Sequence, residues 1–161
     1  MASKKMEQAL NKHLNAELYS AYLYASMAAY FENQNLPGFA HWMKVQAKEE
    51  VSHAEKFFAY INEVSGRVIL EGIDKPPAEF DSPWKAFEAT LKHEKHVTSL
   101  IHKLLEQARN ESDHATEVFL QWFVSEQVEE EATAFRITEQ LKLIGDSPQG
   151  LFMMDRQLGQ R

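Results

Sequence analysis

The stretch SGRVILEGIDKPPAEFD, Ser65 to Asp81, holds two of the six glycines and two of the five prolines of the chain, and it separates two long segments of helical pattern. The Pro76–Pro77 pair keeps it from continuing as helix. From Gly66 onward, about 16 residues can span roughly 50 Å when extended at about 3.3 Å per residue. The helical segment before it, about Gly38 to Val64, is on the order of 40 Å long at about 1.5 Å per residue. This connection can therefore run the full length of a bundle and leave the helices on either side of it parallel. The breaks NQNLPG, Asn33 to Gly38, and RNESD, Arg109 to Asp113, are too short for that and must join antiparallel neighbours. In the last break, GDSPQG, Gly145 suits a helix C-terminus, while Ser147 and Pro148 suit an N-cap and the first position of a new helix. Residues 1–161 thus read as one all-α domain. It is a four-helix bundle over about 6–144, with one long crossover between helices 2 and 3 and a short fifth C-terminal helix over about 148–158.

Composition narrows the chemistry. The chain has no cysteine, which excludes disulfides, iron–sulfur clusters and thiolate zinc sites, so a metal would be held by oxygen and imidazole ligands. A formal charge of -7 and the lack of a basic stripe argue against nucleic acid. No apolar run approaches the roughly 20 residues that cross a bilayer, and MASKKMEQAL lacks the apolar centre of a signal peptide. No membrane association is expected, and a cytoplasmic location is the default expectation.

Each long segment carries one continuous bundle seam at alternating spacings of three and four. The first runs Leu10, Leu14, Glu17, Ala21, Tyr24, Ala28, Phe31, and the second Phe39, Met43, Gln46, Glu50, His53, Phe57, Tyr60, Val64. The third runs Phe87, Leu91, Glu94, Thr98, Ile101, Leu105, Ala108, and the fourth Leu120, Phe123, Gln127, Glu130, Ala134, Ile137, Leu141, Ile144. Near its middle each seam is interrupted, by Glu17, by Glu50 with His53, by Glu94, and by Gln127 with Glu130. The helix lengths let all of these meet at one level. Four carboxylates in a dry core are costly unless neutralised, and no lysine or arginine occupies a seam position. Two divalent cations would supply the missing charge; protonated carboxyls of raised pKa are the alternative. The donor set suits iron or manganese, with zinc or cobalt able to compete. Glu50 and His53, at i and i+3, share one helical face and can reach the same ion.

The stretches LNAELYSAYLYASMAAYF (Leu14–Phe31), GFAHWMKVQAKEEVSHAEKFF (Gly38–Phe58), PPAEFDSPWKAFEATLKHE (Pro76–Glu94) and FLQWFVSEQVEEEA (Phe119–Ala132) resemble the prokaryotic non-haem ferritins over essentially the whole chain. The resemblance implies a ferroxidase centre in each subunit. One iron would be held by Glu17, Glu50 and His53, and a second by Glu50 as bridge, Glu94 and Glu130, with Gln127 close by. A third iron site maps onto Glu49, Glu126, Glu129 and Glu130, for which an acidic solvated face is the competing reading. The resemblance also implies a hollow homo-oligomeric cage of 24 subunits that oxidises Fe(II) with dioxygen or peroxide and stores it as ferric oxyhydroxide. Gln127-x-x-Glu130 departs from the second Glu-x-x-His of the general di-iron pattern and looks like ferritins that pass iron on to a mineral. Val51 stands where bacterioferritins carry a haem-ligating methionine, so no haem is expected. A peroxide-detoxifying di-iron oxidoreductase without mineral storage is the alternative function. Tyr24 and Trp122 read first as packing aromatics, with hydrogen bonding to a ligand or electron supply as the sharper expectation. His13, His41, His93, His96, His102 and His114 fall outside the seams and are expected on the surface. Glu131 is expected to be solvated, and Met153 and Met154 to be packing residues.

Overall fold

The computed structural model describes residues 3–161. Five helices follow one another: α1 (Lys4–Asn33), α2 (Pro37–Glu63), α3 (Pro83–Asn110), α4 (His114–Ile144) and α5 (Pro148–Leu158). There is no strand among the described residues, and none of the described helices is long and apolar enough to cross a membrane. Short polar side chains start four of the helices. Ser3, Ser82, Asp113 and Ser147 accept hydrogen bonds from the backbone N–H three residues on, each satisfying a donor of the first turn. α2 follows Leu36, whose side chain cannot cap. Its first turn is capped across the fold by α5: Asp155 Oδ1 accepts from the Gly38 and Phe39 N–H groups at 2.8 and 3.0 Å.

Three helices end in one way. Leu36 N–H donates to the Phe31 carbonyl, Gly66 to Ile61 and Asp113 to Ala108, at 3.0, 2.8 and 2.8 Å, with Asn35, Ser65 and Ser112 in the left-handed region before them. These are Schellman ends built without glycine at the turning residue, so a glycine search places these helix ends only loosely.

α1 pairs with α2 and α3 with α4. The crossover of residues 66–81 lies along α1, fixed at intervals. The Arg67 carbonyl accepts from Asn11, the Ile69 N–H donates to Asn11 Oδ1, and the Pro77 carbonyl accepts from Ser26. The connection ascends α1 from its first third to its last, so α3 starts at the opposite end from where α2 stopped and runs parallel to α2, as the crossover length requires. The core divides into two apolar clusters. One includes Leu10, Leu14, Phe57, Ile61 and Phe123; the other includes Phe31, Phe39, Phe87 and Leu141 and is closed by Met154 and Leu158 of α5. Between them lies the polar layer.

Several surface assignments change in three dimensions. His41, His96, His102 and His114 are exposed, but His13 is buried and His93 is half-buried. His13 lies one position beside the seam, where the ring of Phe57 covers it at 4.6 Å. His93 is held by Ser20 Oγ at 2.8 Å. Met154 packs in the core, whereas Met153 faces outward. Glu131 is half-buried and accepts a hydrogen bond from Thr98 at 2.6 Å.

Candidate metal centre

Glu17 of α1, Glu50 and His53 of α2, Glu94 of α3, and Gln127 and Glu130 of α4 are each less than a tenth exposed. Ligand atoms of Glu17, Glu50 and His53 lie within 4.8 Å of one another, and so do those of His53, Glu126 and Glu130. His53 is the hinge between the two groups. Its Nδ1 is 3.2 Å from Glu50 Oε2 and 3.9 Å from Glu17 Oε2, and its Nε2 is 3.9 Å from Glu126 Oε1. Glu94 is held from two sides, by the Tyr24 hydroxyl and by the Gln127 amide at 3.2 Å. Tyr24 is fully buried and touches the centre through its hydrogen bond to Glu94. Trp122 is partly exposed; its ring lies 5.4 Å from that of His53, edge to face, with Lys56 over its outer side at 4.5 Å.

The expected third group is assembled in part. Half-buried Glu126 joins His53 and Glu130. Glu49 turns instead to the Arg161 guanidinium, and Glu129 is exposed and joins neither group among the described residues.

Four further residues shape the layer. His13 Nε2 lies 2.7 Å from Glu17 Oε1, one helical turn away, a spacing visible in the sequence. Gln46 is buried on the α2 seam, and its amide donates to Glu50 Oε1 at 3.2 Å and to Glu130 Oε2 at 2.9 Å; its seam position was the signal. Thr98 sits beside Gln127 at 3.3 Å. Arg161 donates to Gln46 Oε1 at 2.8 Å, a tertiary contact that no local pattern announces.

The electrostatics are those of a site short of positive charge. Burial, then the Glu17 carboxylate, pushes Glu50 well above the usual carboxylate range. Burial pushes Glu17 the same way, but the His13 imidazole at contact distance outweighs it and leaves Glu17 low. One proton therefore resides on Glu50 while Glu17 stays ionised. Burial raises Glu94 to about 7, and burial with the neighbouring Glu94 raises Glu130 to about 8. Burial lowers His53, leaving a neutral ring with a free lone pair at neutral pH. Glu17 Oε2, which faces His53, is buried with no hydrogen-bond partner among the described residues. A carboxylate oxygen orphaned beside a neutral imidazole and two protonated carboxyls fits a divalent cation: the ion supplies the missing charge and displaces the protons.

Two measurable results follow. Between pH 4.5, the ordinary value for these glutamates, and about 8 the metal-free fold holds more protons on Glu50, Glu94 and Glu130 than the unfolded chain does. The contribution of Glu94 and Glu130 to stability is complete below about pH 4.5 and is lost as pH rises through about 7 and about 8. The thermal midpoint of metal-free protein is expected to fall between pH 5.5 and about pH 8, and a saturating divalent cation to flatten or reverse that slope. Filling the centre at pH 7 is expected to release about two protons per subunit, read by titration in weakly buffered solution.

The comparisons with known proteins agree with this architecture. The Ferritin-like domain model of the Ferritin family matches residues 7–144. A bacterial non-heme ferritin of Bacteroides fragilis is 45% identical over 161 residues, covering 100% of both chains. One from Staphylococcus epidermidis is 40% identical and covers 100% of this chain and 97% of its own. Among solved structures, an open pore ferritin from the hyperthermophilic archaeon Archaeoglobus fulgidus superposes with a TM-score of 0.99 at 52% identity, covering 100% of this chain and 99% of that one. With its five helices, its long crossover and its matches over full length, the chain belongs to the ferritin-like family, among the prokaryotic non-haem ferritins.

Proposed function

We propose that this ferritin captures two Fe(II) ions between Glu17, Glu50, His53, Glu94 and Glu130, oxidises them, and delivers the Fe(III) to a ferric oxyhydroxide store inside a homo-oligomeric shell, most simply of 24 subunits. The observation that carries this reading is the set of four buried carboxyls on four helices without a lysine or arginine in contact with any of them among the described residues. Iron is the substrate, and the chain supplies its ligands. Glu17 presents its unpartnered oxygen and His53 its neutral ring to the first ion. Glu50, placed beside both, bridges to a second ion that Glu94 and Glu130 complete, and Gln127 holds Glu94 in place. Glu50, Glu94 and Glu130 shed their protons as the ions arrive, and Glu17 is already ionised, so the entering charge is balanced locally. Two Fe(II) ions together supply the two electrons that convert dioxygen and two protons to hydrogen peroxide, or peroxide and two protons to water.

Oxidation to Fe(III) strengthens binding to oxygen donors and acidifies bound water, which drives hydrolysis toward oxide. The ions must then leave. Glu126 next to His53 and Glu130 offers the next landing point, with Glu49 and Glu129 further out. Tyr24 on Glu94 and Trp122 against His53 are positioned to supply an electron when fewer than two irons are present.

The test is anaerobic titration with Fe(II), followed by addition of oxygen and the mass of iron-free and iron-loaded particles in solution. Binding of at least two Fe(II) per subunit, oxygen consumption in proportion and a heavy iron-filled particle are expected. Absence of binding and oxygen uptake would sink the proposal, and oxidation without particle-bound iron would leave the peroxide-detoxifying alternative.

A further inference from the structure

One positive charge reaches the edge of the centre from outside the four-helix bundle. Arg161, just beyond α5, lays its guanidinium over the Trp42 ring at 4.4 Å, and its carbonyl oxygen meets His41 Nε2 at 3.0 Å. The side chain then forks. Nη1 donates to Gln46 Oε1 at 2.8 Å, and Nη2 donates to Glu49 Oε2. Arginine has donors only, so the end of the Gln46 amide that faces it must be the oxygen. The NH2 end is thereby turned inward, where it spans from Glu50 on α2 to Glu130 on α4. Were the amide reversed, its oxygen lone pairs would face both carboxyls.

We propose that Arg161 is a positioning residue of the metal centre. Its guanidinium fixes Gln46 as a strut between Glu50 and Glu130, and it holds Glu49 in an ion pair that a third cation has to break. The inference rests on the reading of the centre as a cation site. It assigns Arg161 two separable effects. The strut depends on the fork geometry, since a point charge does not select the amide face. The hold on Glu49 depends mainly on charge. Arg161→Lys therefore removes the first effect and keeps most of the second, whereas Arg161→Gln removes both.

The experiment is anaerobic titration of the assembled, metal-free protein with Co(II), a cation that oxygen donors and imidazole bind and whose visible absorption reports coordination geometry. Wild type is expected to bind two ions tightly and a third weakly. Both Arg161 variants are expected to alter the spectrum of the first two ions. Arg161→Gln alone is expected to tighten the third by about fivefold, the scale of one partly exposed ion pair. In a Gln46→Met background, itself altered in spectrum, adding Arg161→Lys is expected to change the spectrum of the first two ions no further, the mark of action through Gln46. Spectra and third-ion affinity identical to wild type in both Arg161 variants would overturn the inference while leaving the metal centre standing. A wild type that binds no Co(II) and no Fe(II) would overturn the centre itself, and this inference with it.

Discussion

Glu50→Ala is expected to abolish paired cation binding and to slow Fe(II) oxidation by a factor on the order of 100 or more, the scale seen when a group that orients metals or their ligands is lost. Glu50 is beside Glu17 and His53 on one side and is tied through Gln46 to Glu130 on the other. Its loss opens both positions together, whereas loss of Glu126 is expected to spare the first two ions. Stability is expected to move differently. A carboxyl that burial holds protonated contributes desolvation cost along with its packing, so the metal-free variant is expected to melt within a few degrees of metal-free wild type. The difference appears on adding a divalent cation. Wild type gains thermal stability by mass action and the variant does not. Two ions still bound per subunit in Glu50→Ala, or an unchanged initial rate of oxygen uptake, would contradict the assignment of Glu50 as the bridge.

The largest effect on stability is expected away from the candidate metal centre, at Gly38→Ala. A Cβ there would lie 1.7 Å from the Asp155 carbonyl oxygen and 2.5 Å from its carbonyl carbon. Both are backbone atoms, so no side chain can swing aside. Gly159 is next: a Cβ there would lie 3.3 Å from the Gly38 Cα, where α5 crosses the start of α2. To admit a single methyl, α5 must lift, which uncovers Met154 and Leu158 and uncouples Asp155 from the Gly38 and Phe39 N–H groups. The expected cost is about 3 kcal/mol or more, read as a fall in the thermal midpoint of metal-free protein. Asp155→Ala, which removes the cap without the clash, is expected to cost about 1–2 kcal/mol. A Gly38→Ala midpoint equal to that of wild type would mean that α5 is not seated as described.

Much of this was legible in the sequence because bundle packing is periodic. The seams at spacings of three and four singled out Glu17, Glu50, His53, Glu94, Gln127 and Glu130, and the helices bring all six into one buried layer. The crossover was legible through length alone, since only a long extended segment can reverse the order of the ends. What the pattern missed are side chains that reach the layer from beside the seam or from outside the bundle. His13 sits one position off the stripe, yet a helix facing two neighbours buries a band wider than one seam. Gln46 was on the stripe one turn before Glu50, and its part as a link from Glu50 to Glu130 depends on how α2 and α4 face each other. Arg161 arrives from the far side of α5, by a route set by tertiary structure. The third group shows the reverse limit. The family resemblance put Glu49, Glu126 and Glu129 together, and the helices separate them, with Glu49 paired to Arg161 and Glu129 in solvent.

The cap on α2 has a consequence for how the protein is made. Most helices carry their N-cap within the same few residues, so their first turn can close as soon as it leaves the ribosome. Here the two N–H groups of Gly38 and Phe39 wait for a carboxylate 117 and 116 positions later in the chain. During synthesis the α1–α2 hairpin can form through its own apolar contacts, but the start of α2 stays frayed until Asp155 emerges. A nascent chain arrested before Asp155 is thus expected to show rapid amide exchange at the start of α2, and one arrested well past it to show protection, which makes the order of synthesis visible at a single helix end.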